Sequence, residues 1–344
     1  NSPTEQRKLD HIRINLQEDV RSKGISNGFD AYRFVHQALP ELDLSRVSTR
    51  CALFGRALDS PILVSSMTGG VPRALKINQN LARAAQRLHL AMGLGSQRVA
   101  LEQPDAEIYF RVRDLAPDIL LFANLGAVQL NYGYGVEECL RAVEMVGADA
   151  LFLHLNPLQE ALQPEGNTNF AGLEERIGVV CRELKVPVVV KEVGWGISAQ
   201  VAARLADLGV AGIDVAGAGG TSWSEVERHR APSELRRRIA GSFAGWGIST
   251  ADALVEVRRA LPNLPVFASG GMRTGVEVAK AVGLGASLVG LASPVLRAAA
   301  ESAEAAYDEL YAVTEELRIC MFSTGAATLR DLQSPERLAR VPTR

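Results

Sequence analysis

The sequence predicts an α/β protein, a TIM (β/α)8 barrel with an N-terminal arm and an insertion after strand six. Three observations predict it: eight short apolar runs, amphipathic helical stretches between most of them, and polar, glycine-rich residues after each run. Short runs rich in Val, Ile and Leu suit strands buried on both faces, as in a parallel sheet. Strand–helix alternation gives parallel strands through right-handed crossovers, and eight such units close a barrel. An open doubly wound sheet is the rival. It wants a GxGxxG after the first strand and an acidic residue about 20 positions on, and the sequence has no such pair.

In chain order, residues 1–60 read as a charged arm packed outside the barrel, with a short helix near Ala31–Ala38. The barrel with its C-terminal helix then takes 61–344. Its eight runs are Pro61–Met67, Leu90–Ser96, Ile119–Leu125, Ala150–Asn156, Val186–Val193, Val210–Ala216, Leu264–Ser269 and Ala286–Leu291. Helical periodicity marks Ile77–Leu88, Glu137–Val146, Glu174–Leu184, Ala199–Leu208, Ala251–Ala260 and Gly275–Val282. The long interval Ser222–Ile248 carries Trp223, Trp246 and the basic run Arg236–Arg238, and reads as an excursion over one end of the barrel. The Ala/Glu-rich tail Ala299–Leu317 reads as a packing or oligomer helix.

Composition narrows the class. With 344 residues, 47% of them hydrophobic and 22% charged, the chain can bury a large core and is not disordered. The 37 Lys and Arg nearly balance the 39 Asp and Glu, which argues against binding nucleic acid through bulk charge. A local cationic pocket for a small phosphate remains open. Cys51, Cys139, Cys181 and Cys320 form no CxxC pair and read as reduced, buried thiols. No apolar run approaches the roughly 20 residues that cross a bilayer, and the polar start lacks a signal-peptide core. The expected setting is the cytoplasm, with no membrane partner.

Barrel enzymes place their chemistry where strands end. Gly270-Gly271 before Arg273, together with Gly290–Ser293, would let backbone N–H groups and a helix N-terminus approach a phosphate. Two glycine turns are the plain alternative. Lys191 lies in a buried strand pattern, where an unpaired ammonium is costly. Neighbouring strand residues face opposite sides, so Glu192 is a poor partner for it. His154 and Asn156 share a face, and Glu160 could hold Mg²⁺, which favours one or two carboxylates plus substrate phosphates. Arg7, Lys8 and His11 on the arm and Arg98 after the second strand would suit a second, more highly charged phosphate ligand. A solvated terminus is the ordinary reading of the arm. Tyr132 and Tyr134 could wall the mouth or cap the third unit.

At this point the motifs become recognisable. Arg7-Lys8-x-x-His11-Ile12, Met67-Thr68-Gly69-Gly70, Gly95-Ser96-Gln97-Arg98, His154-Leu155-Asn156-Pro157-Leu158-Gln159-Glu160, Lys191-Glu192-Val193-Gly194, Ala218-Gly219-Gly220-Thr221-Ser222-Trp223 and Ser269-Gly270-Gly271-Met272-Arg273-Thr274-Gly275 stand in one order. Through them the whole chain resembles the type 2, FMN-dependent isopentenyl-diphosphate isomerases. The resemblance implies a barrel that forms homo-oligomers, tetramers or larger. It implies conversion of isopentenyl to dimethylallyl diphosphate by a 1,3-allylic proton shift that needs reduced FMN and Mg²⁺, with NADPH as reductant.

Carried over residue by residue, the resemblance puts FMN on Ser66, Met67, Thr68, Ser96, Asn124 and Lys191. From the later strands it adds Thr221, Gly271, Met272, Arg273, Ala292 and Ser293. It puts the diphosphate on Arg7, Lys8, His11, Ser96, Gln97 and Arg98, Mg²⁺ on Glu160, and Gln159, His154, Asn156, Trp223 and Glu227 around the reacting carbons. Two alternatives remain open: a flavin enzyme oxidising 2-hydroxy acids, and a non-catalytic scaffold or flavin sensor. Against the first, no His follows the sixth strand, where Gly219–Ser222 stands instead.

Overall fold

The structure is a computed structural model that describes residues 3–67 and 69–341. Eight parallel strands close into a barrel, each pairing with the next and the eighth with the first. They are Ile62–Val64, Ala91–Gly93, Leu120–Gly126, Ala150–His154, Val188–Lys191, Gly212–Asp214, Val266–Ser269 and Leu288–Leu291, one inside each predicted run except the third, which reaches one residue further. Closure rests on the register Val289↔Ile62 and Leu291↔Val64. The fold class read from the sequence is therefore the observed one.

Period-two alternation sorts the strand residues into two cores. Leu63, Leu120, Phe122, Phe152, Val189, Phe267 and Leu288 pack together inside the barrel. Their neighbours Ile62, Val64, Leu121, Leu151, Leu153, Val188 and Val190 join the shell between strands and helices. Inside, Phe122 stacks on Phe152 at 4.3 Å, and Phe267 meets both edge-on. A hairpin, Cys51–Leu53 with Arg56–Leu58, brings Phe54 against Phe122 and closes that end. Aromatic side chains thus fill the floor. The strands change character at their other ends, where His154, Lys191, Asp214 and Ser269 stand.

The helices follow the strands. They are α1 (Pro3–Gln17), α2 (Pro72–Arg87), α3 (Arg98–Glu102), α4 (Val136–Val146), α5 (Pro157–Leu162), α6 (Leu173–Glu183), α7 (Ala199–Asp207), α8 (Trp223–Arg230), α9 (Glu234–Gly241), α10 (Thr250–Ala260), α11 (Gly275–Gly283), α12 (Ser293–Glu301), α13 (Ala303–Ser323) and the short α14 (Leu329–Leu332). Excursion 222–248 holds α8 and α9. The tail is two helices rather than one, broken at Ser302, whose side chain caps the second by accepting from Ala305 N. Among the described residues no helix is long and apolar enough to cross a membrane. The four cysteines are free, but only Cys139 is buried. The other three are partly exposed, so the expectation of buried thiols holds for one of four.

The arm differs most from the sequence reading. Segment 31–38 is a 3-10 turn, Phe29–Ala31, followed by strand Tyr32–Phe34, which pairs antiparallel with Leu338–Arg340. The helix is instead α1, and it lies across the mouth of the barrel. Ile12 faces the main core while Ile14 packs with Val20 and Val226 of the excursion. With buried residues on two sides, α1 shows no single apolar stripe, which is why periodicity missed it.

Phe152→Ala should cost about 3–5 kcal/mol, because a deep aromatic leaves a cavity that its stacked neighbours fill only in part. Denaturant unfolding of the cofactor-free chain should show a lower midpoint at unchanged m-value. A loss below about 1 kcal/mol would mean that Phe122 and Phe267 collapse into the space.

Candidate active site

Two cavities open side by side at the polar mouth, one of about 740 Å³ and one of about 170 Å³. They share a wall made by His11, Ser66, Met67, Lys191, Val193 and Trp223. These six residues come from four segments, the first helix of the chain, the ends of the first and fifth strands and the start of the 222–248 excursion, so barrel closure and the docking of α1 create this wall together.

On one side the larger cavity is bordered by glycine backbone, at Gly220, Gly270, Gly271 and Gly290. Gly271 has φ 77°, and a Cβ there would lie 2.6 Å from the Gly219 carbonyl oxygen. Loops after the sixth and seventh strands therefore touch main chain to main chain. Thr221, Gly271, Met272, Arg273, Ala292 and Ser293 all stand on this wall, as do Ser66, Met67 and Lys191. The N-terminus of α12 opens here with Pro294 in its first turn. Thr221 and Ser293 share a hydroxyl hydrogen bond of 3.2 Å. Among the described residues nothing engages the guanidinium of Arg273 or of Arg297, which also lines this cavity. The hydroxyls of Ser65 and Ser66 are buried with no partner. Thr68, expected among the cofactor contacts, lies outside the described residues.

Arg7, Lys8, Arg98, Ser96, Asn124, His154, Asn156, Gln159 and Glu160 line the smaller cavity. Ser96 and Asn124, expected against the cofactor, thus face this chamber and not the larger one. Lys8 Nζ donates to the Ser96 carbonyl at 2.8 Å and sits 5.7 Å over the Phe110 ring. Arg98 donates to Glu102 and Asn167. Glu160 accepts from Asn156 Nδ2 at 3.0 Å and from Asn167 N at 2.5 Å. Gln159 takes a second Asn156 bond at 3.1 Å and donates to Glu227 at 3.4 Å. Glu227 lines neither cavity but binds His11 Nε2 at 3.0 Å and Arg230 Nη1 at 2.5 Å. His11 in turn packs edge-on against Trp223.

Electrostatics divides these groups. Burial pushes the Lys8 ammonium down to about 7, with Arg7 and Arg98 adding to the shift and Glu102 opposing it. Burial also pushes His154 down to about 3, helped by the charges of Lys191 and Lys8, so its ring is neutral. Asn124 fixes the tautomer: its Nδ2 donates to the Leu94 carbonyl, so its Oδ1 faces His154 Nδ1 at 2.9 Å. Nδ1 therefore carries the proton and Nε2 presents a lone pair. Burial raises Glu227, but the His11 hydrogen bond and the nearby Arg230 outweigh it and hold the carboxyl below its ordinary range.

Lys191 Nζ donates to the carbonyl of Glu192 at 2.6 Å. The Glu192 carboxylate points elsewhere and accepts from the backbone N–H of Val193, Gly194 and Trp195, as the alternation of strand faces requires. Burial pushes that carboxyl up to about 7 against those three bonds.

One expectation is corrected. Gln97 was expected on the diphosphate, but it is wholly buried, donates to the Ala142 carbonyl and accepts from Asn124 N. Its side chain points away from both cavities and braces the second strand end against the third. Four residues were missed by the sequence reading. Arg230 and Asn167 act from loops and helices with no local signal. Arg297 sits one turn into α12, where a solvated face was as good a reading. Asp214 had a signal, since it is a charge inside an apolar run, like Lys191.

The FMN-dependent dehydrogenase family profile matches residues 160–339, just over half of the chain. The chain is 54% identical to an isopentenyl-diphosphate delta-isomerase of Stutzerimonas stutzeri over 96% of each chain. It is 53% identical to one of Synechocystis over 98% of this chain and 99% of the other. Among solved structures, a flavocytochrome b2 variant with sulfite bound superposes with a TM-score of 0.69 at 19% identity, covering 96% of this chain and 82% of that one. That last likeness shows the fold alone.

Inorganic diphosphate should bind the cofactor-free chain through Lys8 in its charged form. Since the free ammonium is lost above about pH 7, affinity should fall as pH rises from there, by up to about tenfold per unit. Calorimetry on wild type and Lys8→Met separates this from the probe's own ionisation: the variant binds more weakly and lacks the fall. Identical pH profiles for the two would take Lys8 off the anion.

Proposed function

The chain belongs to the isopentenyl-diphosphate delta-isomerase family, and from that premise we propose that it interconverts isopentenyl and dimethylallyl diphosphate by a 1,3-allylic proton shift. In this reading FMN fills the larger cavity, and the substrate's diphosphate, with Mg²⁺, fills the smaller. The observation that carries it is the shared wall, where Lys191, Met67 and Trp223 face both chambers at once.

The larger cavity fits a flavin mononucleotide on its own features. Main chain that approaches without side chains, a helix N-terminus and an unpaired Arg273 suit a phosphate. The unpartnered Ser65 and Ser66 hydroxyls and the Lys191 ammonium suit a ring rich in acceptors. Bound and reduced, FMN would supply negative charge and a proton-transferring nitrogen beside the substrate's double bond. NADPH is the reductant we assign, although the reaction itself has no net redox change.

The chain's own residues bind and orient. Arg7, Lys8 and Arg98 converge on the small chamber and would clamp a diphosphate through charge-assisted bonds. Protonating an alkene builds positive charge on carbon, and Trp223 offers it a π face while the ionised Glu227 stands behind Gln159. His154 can accept a hydrogen bond at Nε2 but, being neutral, delivers no proton from it. α1 lies over both chambers and would limit the access of water.

The described residues hold no cluster of three or more His, Cys, Asp or Glu side chains fit for a metal. Both Glu160 oxygens are already hydrogen-bonded. Its site therefore fits Mg²⁺ carried by diphosphate oxygens rather than a free ion.

A second reading, 2-hydroxy acid oxidation, draws on the dehydrogenase profile match. The loop after the sixth strand presents Gly219–Ser222 and no histidine to take a proton, which favours the isomerase. Exposed Leu235 and Ile239 on α9 and Trp246 beside it support a homo-oligomer, tetramer or larger, in which a second copy covers them. Free thiols support a reducing, cytoplasmic setting.

With FMN, Mg²⁺ and isopentenyl diphosphate, dimethylallyl diphosphate should form only after the flavin is reduced, by NADPH or dithionite. Equal turnover with oxidised flavin in aerated buffer would sink this reading. Glu160→Gln removes the charge and keeps the shape. The Mg²⁺ concentration for half-maximal rate should rise on the order of tenfold or more, while FMN affinity stays within about twofold. An unaltered Mg²⁺ dependence would leave the ion to the diphosphate alone.

A further inference from the structure

We propose that Asp214 is the positioning residue for Lys191: its buried carboxylate is the counter-charge that aims the Lys191 ammonium at the wall between the two cavities. This rests on the reading of the larger cavity as the FMN site.

The register places the two together. Lys191 pairs with His154 on one side and with Asp214 on the other. Residues in register on adjacent parallel strands point to the same face of a sheet. Lys191 lines both cavities, so that face is the inner wall of the mouth. Asp214 is completely buried on it.

Only half of the Asp214 carboxylate is satisfied. Oδ1 accepts from Ser269 Oγ at 2.7 Å and from Ala216 N at 3.2 Å, while Oδ2 is buried with no partner. An ionised carboxylate this deep needs an opposite charge. The groups around Lys191 leave one pairing. His154 is neutral, and the Glu192 carboxylate is spent on three backbone N–H groups of its own loop. Among the described residues the two side chains form no direct ion pair, so the attraction acts through space.

The backbone is bent to hold this arrangement. Ala216 has φ 37°, a left-handed conformation rare for a residue with a side chain, and it delivers the N–H that Oδ1 accepts. Such strain persists where the surroundings over-determine it, and it gathers at functional sites. Burial holds the Asp214 carboxyl above its ordinary range, and Lys191 is foremost among the groups that oppose that rise.

A structural role is the competing account, in which Asp214 merely ties Ser269 and the turn at Ala216. Coupling to Lys191 separates the two. Apoprotein of wild type, Asp214→Asn, Lys191→Met and the double variant would be titrated with FMN by fluorescence quenching, with the visible spectrum of the bound flavin and the melting temperature recorded for each. Asp214→Asn should lower FMN affinity roughly tenfold, the worth of one weakened charge-assisted bond, and shift the flavin spectrum. Both effects should vanish in the Lys191→Met background.

A loss that persists there, or an unchanged or higher affinity in Asp214→Asn, overturns the inference. If Asp214→Asn does not fold, Ser269→Ala decides in the same way, with a smaller loss that is again silent beside Lys191→Met. Wild-type apoprotein that takes up no FMN would overturn the cofactor reading together with this one, whereas wild type that binds and Asp214→Asn that binds equally overturns this one alone.

Discussion

Everything at the mouth depends on closing the ring of strands. The eighth strand pairs with the first across more than two hundred residues of chain, Val289 with Ile62 and Leu291 with Val64. That pairing sets Ser66 and Met67 beside Ala292 and Ser293, and the next one, Ser269 with Gly290, brings in Gly271 and Arg273. Closure also removes the exposed edges that an open sheet of this size would carry. Because Phe122, Phe152 and Phe267 fill the floor, the open space of the barrel lies at the polar end, bordered by strand ends.

The second constraint is electrostatic. A chain of net charge −2 gathers Arg7, Lys8 and Arg98 around one small cavity. Burial pushes the Lys8 ammonium down to about 7, and the like charges of Arg7 and Arg98 push it the same way. What holds the cations there is apolar: Ile12 and Ile14 are buried on opposite sides of α1 and fix the helix that carries Arg7 and Lys8. Glu102, Gln163 and Asn167 then hold the side chains at the rim. The charge is thus assembled before an anion arrives, and the cost of gathering it is met by folding.

Strand existence was legible because doubly buried parallel strands leave short runs of Val, Ile and Leu, and those runs survive without any knowledge of partners. The loops Gly270–Arg273 and Gly290–Ser293 were legible as breaks at strand ends, where glycine lets main chain approach main chain, though two plain turns would read the same way. What could not be read was set at long range. Strand Tyr32–Phe34 exists through its pairing with residues near the C-terminus, and its local sequence resembles a short helix. α1 escaped because it is buried on two faces. Gln97 stands beside Ser96 and Arg98 in sequence, yet the first turn of α3 swings it inward to Ala142, and no spacing rule tells a lining residue from a brace.

The titration states at the mouth divide the labour. Two residues a sequence reader would choose for proton transfer are His154 and Glu227. Burial holds the first neutral, and the hydrogen bond that His154 donates to Asn124 Oδ1 commits its single proton to Nδ1. Ion-pairing with Arg230 and hydrogen bonding to His11 hold the second ionised, so it carries no proton to give. Gln159, between Glu227 and the smaller chamber, is an amide that orients without titrating. These side chains supply fixed charge and fixed direction, the conditions under which an external acid placed in the neighbouring cavity works at constant geometry. With His154 and Glu227 both held in this way, the proposed reading gives the proton transfer to the group in the larger cavity, and the wall shared through Lys191 is where that cavity meets the smaller one.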